Sequence, residues 1–125
     1  MRRSALPLFS ACLMLAALSP AAAQTDAATQ ANRGAYDAAT KCYVAYALEA
    51  RRETKAGNAT IASNLTSTAK QAFDGARSLG QILGRPKNII ESDIDTVEAR
   101  EAPRMLASRG YHRQTLDVCR ELGLK

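Results

Sequence analysis

The sequence predicts an all-α fold, a small antiparallel helical bundle of three to four helices with one disulfide. Three observations lead there. Apolar residues recur at helical spacing along the chain, and no segment alternates with period two. Glycine and proline fall between the periodic runs, at Gly57, at Gly84 and Pro86, and at Gly123. Two cysteines, Cys42 and Cys119, follow a stretch that reads as an export leader.

That leader spans residues 1–23. Arg2 and Arg3 precede an apolar run from Ala5 to Leu18, Pro20 breaks it, and Ala21 and Ala23 fit a small-residue cleavage site before Gln24. The apolar run is shorter than the roughly 18 residues a membrane anchor requires. A lipoprotein reading through Cys12 is the alternative, but it leaves too short an apolar run before the cut. The expected location is therefore the periplasm, or outside the cell, and the mature chain is expected to carry no membrane span. Its charge is modest. Without Arg2 and Arg3 the 17 basic residues become 15 against 12 acidic, a net +3, well short of a dedicated nucleic-acid binder.

Residues 24–33 are small and polar and are expected to form a flexible segment before a single helical domain at 34–125. The first helix is expected near 34–56. Tyr36, Ala39, Tyr43, Tyr46, Ala47 and Ala50 share one face with Cys42 at its edge, while Lys41, Glu49 and Arg52 fall opposite. The second, near 60–83, carries a seam of Ile61, Leu65, Thr68, Ala72, Ala76, Leu79 and Leu83. The third, near 88–109, is expected to open on a capping box of Asn88 and Glu91. Its stripe of Ile90, Ile94 and Val97 then runs into Glu101 and Arg104, and a kink at Pro103 offers a way for Met105 and Leu106 to turn inward. Gly110 marks a break or a loosened turn. The last helix, near 111–122, aligns His112, Thr115, Leu116, Cys119 and Leu122.

In an exported chain the pair Cys42 and Cys119 reads as one disulfide. It closes a loop of 77 residues, worth up to about 4.5 kcal/mol by the chain-entropy argument. With no C-x-x-C motif, the pair is a staple and not a redox couple.

Catalytic signatures are missing. There is no nucleophile elbow, phosphate-binding loop, dinucleotide fingerprint or H-E-x-x-H pair. C-x-x-C-H is absent, which excludes a covalent c-type haem. No cofactor and no metal are expected, because His112 and Cys119 share a face but sit roughly 10 Å apart along the axis. His112 is the single histidine and reads as a packed residue. The carboxylates from Glu91 to Glu101 suit the start of a helix.

Two surfaces remain as candidate binding sites. Tyr36, Tyr43 and Tyr46 form either a packed core edge or a half-wet groove. Arg100, Arg104 and Arg109 form a basic ridge suited to anion contacts, and Arg104 leaves that list if it pairs with a buried Glu101. The expected function is a small exported binding or accessory protein without catalytic activity. Its expected partner is an unidentified protein or an anionic envelope component, and not nucleic acid. An envelope stress or holdase-type protein is the alternative.

Overall fold

A computed structural model describes residues 20–124, with side chains from Asp26 onward. Four helices follow in order: α1 (Pro20–Lys55), α2 (Ala59–Ile82), α3 (Lys87–Ala107) and α4 (Arg109–Glu121). No strand occurs among the described residues. Residues 1–19 of the expected leader lie outside them, and α1 runs through the expected cleavage point at Ala23.

The helix ends follow the glycines. Gly57 and Gly84 adopt φ of +82° and +73°, a left-handed conformation that costs glycine no Cβ clash. At Gly84 the Arg85 N–H donates to the Gly80 carbonyl and the Gly84 N–H to that of Gln81, a double bond pattern that closes a helix C-terminus. These two sharp stops reverse the chain. Tyr36 lies beside Gly80 and Tyr43 stacks edge-on against Phe73, so α1 and α2 are antiparallel. α4 is antiparallel to α1 as well, because His112 meets Ala45 while Cys119 meets Cys42.

The disulfide joins Cys42 to Cys119 with Cα atoms 5.7 Å apart. Around it, Val44, Tyr46, Leu48, Ala69, Ala72, Met105 and Leu116 form the main core. A second cluster at the other end packs Tyr36, Ala76, Ile90 and Ile94.

Several expectations need correction. α1 continues through 24–33, where a flexible segment is expected, and no side chain from Asp26 to Ala35 is buried. The helix propagates there from the packed turns after Tyr36, with Ala27, Ala28 and Ala31 as strong formers and no proline to stop it. The Asn88 capping box does not form. Pro86 is the N-cap, with ψ of 153° and no side-chain cap bond, and its carbonyl accepts from Ile90. Asn88 is thus inside the first turn, and Glu91 lies 3.8 Å from Lys87 instead. α3 passes through Pro103 and stops at Ala107. The break falls at neither Pro103 nor Gly110 but at extended Ser108, whose Oγ accepts from the Tyr111 N–H and so caps α4. Leu106 stays 65% exposed and Ile61 and Leu122 are also exposed.

Gly80 tests the α2–α3 contact. A Cβ there would come within 2.7 Å of the Ile90 side chain and 3.1 Å of Tyr36, whereas one at Gly75 meets nothing within 4 Å. Gly80→Ala is expected to destabilise by about 1–2 kcal/mol, because overpacking exceeds the propensity gain. Gly75→Ala is expected to stabilise by about 0.5–1 kcal/mol. Urea midpoints of the two variants check the opposite signs.

Candidate functional site

The tyrosine face divides once the helices pack. Tyr36 and Tyr46 are buried in the two cores. The Tyr36 hydroxyl donates to Asp93 at 2.8 Å, and that of Tyr46 donates to the Leu124 carbonyl at 2.8 Å. Burial, with the hydrogen bond to and the charge of Asp93, pushes the Tyr36 phenol up to about 12, with Arg85 opposing. Only Tyr43 stays half-exposed, beside Phe73 in a concavity of about 410 Å³ between α1 and α2.

The arginine ridge is tied down in the same way. Glu101 is only 3% exposed, as its position on the apolar stripe of α3 implies for a charge that needs partners. It is satisfied from three directions. Arg100 Nε lies 3.0 Å from Oε1, Arg104 Nη1 lies 3.3 Å from both oxygens, and the Tyr111 hydroxyl donates at 2.7 Å to Oε2. Arg104 therefore leaves the anion-contact list. Burial raises the Glu101 carboxyl, but the bonds from Tyr111 and Arg100, with the charges of Lys41 and Arg104, outweigh it and hold it below the ordinary value.

That shift has a pH consequence. A carboxyl held low in the folded state stabilises the protein at pH above its unfolded value and loses that contribution as pH falls through the folded one. Wild-type melting temperature should therefore fall in acid more steeply than that of Glu101→Gln, which keeps the side-chain shape without the charge. Parallel slopes for the two proteins would remove the role given to this carboxylate.

Arg109 meets Glu49 through two bonds, Nη1 to Oε2 at 2.6 Å and Nη2 to Oε1 at 2.9 Å. The helical period puts Glu49 on the outer side of α1, yet its side chain is only 12% exposed because α4 covers it. His112 completes this second cluster and is fully buried. Its Nε2 lies 2.8 Å from the Ala45 carbonyl, an acceptor that assigns the proton to Nε2. Nδ1 then accepts from Arg109 at 3.3 Å, with Glu49 Oε2 3.7 Å away. Neither ring nitrogen reaches solvent.

One concavity adjoins the disulfide on the α1–α4 side. It holds about 270 Å³ and is bordered by Ala38, Lys41, Cys42, Tyr111, Val118 and Cys119, among others. Val118 is 48% exposed. Lys41 Nζ sits 4.9 Å from the centre of the Tyr111 ring, and the Arg104 guanidinium sits 4.6 Å from the same ring. These are cation–π distances. Sequence spacing did not flag this place, because its walls come from residues 77 apart that only the disulfide register brings together.

Among the described residues, no group of three or more histidine, cysteine or carboxylate side chains converges on one point. No helix there is long and apolar enough to cross a membrane. The chain matches no protein-family model, no curated protein and no solved structure.

Proposed function

We propose that this is a small exported protein, periplasmic or secreted, that binds a partner or ligand through its surface and performs no catalysis. Its leader-like start and its disulfide support an oxidising compartment. The carrying observation is how the reactive side chains are used. His112, Glu49 and Arg109 satisfy one another inside the α1–α4 contact, and Glu101 is engaged by Tyr111, Arg100 and Arg104. General acid–base work needs a group within reach of a substrate proton, and the single histidine is sealed from solvent.

Concave surface remains beside Tyr43 and beside Val118. Half-exposed aromatic and apolar groups in a depression are the common anchors of binding surfaces. Capture from envelope extract, with the oxidised mature protein as bait, tests the reading. Val118→Asp should lose the captured species while remaining folded. A turnover reaction abolished by a folded His112 variant would contradict the proposal.

A further inference from the structure

We infer that the concavity between α1 and α4 is a binding site for a small amphipathic anion, a carboxylate head on a short acyl or aromatic body. This deepens the surface-binding reading and rests on it. Two independent features of the site lead to that ligand class.

The first is shape and lining. Ala38, the disulfide and Val118 supply apolar wall, and the half-buried Tyr111 ring supplies an aromatic one. The volume, about 270 Å³, lies just under the usual range of ligand pockets, which begins at roughly 300 Å³. It suits a short chain or one ring and is too small for a long-chain lipid.

The second is a charge imbalance beside the pocket, which reaches its lining through Lys41 and Tyr111. Lys41, Arg100 and Arg104 surround one carboxylate, that of Glu101. Within that cluster three cations face one carboxylate. Arg100 and Arg104 spend hydrogen bonds on Glu101. Lys41 does not: among the described residues no carboxylate lies within 4.0 Å of its ammonium, which rests over the Tyr111 ring. An ammonium has three donors, and the aromatic face positions this one without using them as a carboxylate would. Lys41 also borders the pocket. A carboxylate seated there would gain a charge-assisted bond while its apolar body lay against Val118 and Ala38.

The test is an amide NMR titration of the oxidised mature protein with sodium octanoate, with octanamide and acetate as controls. Saturable shifts are expected at Ala38, Tyr111 and Val118. Octanamide, which lacks the charge, should bind about tenfold more weakly, and Lys41→Gln should weaken octanoate by a similar factor. Acetate, which lacks the body, should give no saturable shift in the same range, and Val118→Asp should abolish octanoate binding. Both substitutions fall on partly exposed side chains, so retained helicity and melting temperature certify the fold. Absence of saturable octanoate shifts overturns the site. Equal affinities for octanoate and octanamide, or octanoate affinity unchanged by Lys41→Gln, overturn the anion. If octanoate fails while Val118→Asp still loses the captured species, the ligand class is wrong and the surface-binding proposal stands.

Discussion

Replacing Cys42 and Cys119 together with serine, or reducing the bond, should cost the fold up to about 4.5 kcal/mol. The figure comes from the 77-residue separation, because an open loop of that length returns much conformational freedom to the unfolded state. Small domains hold only about 5–15 kcal/mol in total, so the reduced protein should be close to unfolding at physiological temperature. Geometry adds to the entropy. Both cysteines are buried in the main core, and the bond fixes the register that brings His112 to Ala45 and Val118 to Ala38. Thermal melts with and without reductant measure the loss. A melting temperature that barely moves would mean that packing alone holds α4 in place.

Met105→Ala should cost about 2–5 kcal/mol, while Leu106→Ala should cost less than about 0.5 kcal/mol. The two residues are neighbours of similar size and hydrophobicity, and sequence spacing allows both to turn inward after Pro103. The structure separates them. Met105 is completely buried among Val44, Tyr46 and Leu116, and Leu106 is 65% exposed. Truncating Met105 removes transfer free energy and leaves a cavity between three helices. Truncating Leu106 removes surface that water already covers. Denaturant titrations of both variants should differ by at least about 1.5 kcal/mol, and similar values for the two would place the α3 axis wrongly.

The particular residues explain why some of this was legible in the sequence. Gly57 and Gly84 announce their helix ends because only a left-handed residue closes those turns. The cysteine pair was legible because two cysteines allow one intramolecular pairing. The α3–α4 boundary was not, since Ser108 sits between the two louder signals of Pro103 and Gly110, and its capping bond is visible only once Tyr111 N–H is placed. The start of α1 was missed for a related reason. A polar, alanine-rich stretch shows no apolar face, yet a helix propagates back into it from the packed turns of α1 that follow.

The candidate sites show a similar division. Glu49 looks like a surface charge by position and is covered by α4, whereas Glu101 continues the apolar stripe of α3 but shows no partner in the sequence. Arg109 and Tyr111 sit 60 and 10 residues from the carboxylates they satisfy. Long-range partners of that kind leave no local pattern. The tyrosines were correctly grouped on one helix, but their separate burial depends on which helix covers each: α3 through Asp93 for Tyr36, and the tail at Leu124 for Tyr46.

The claim at the centre of this account is a division of labour between polar clusters that maintain the fold and an open α1–α4 face that binds. The most direct measurement pairs Arg109→Ala with Val118→Asp and reads melting temperature and partner capture for each. Arg109→Ala leaves the largely covered Glu49 carboxylate beside His112 with only the longer Arg52 contact at 3.6 Å, and should cost about 1–3 kcal/mol of stability. At a temperature where it remains folded, it should capture normally. Val118→Asp should melt like the wild type and capture nothing. A folded Val118→Asp protein that captures its partner at wild-type level would contradict the account.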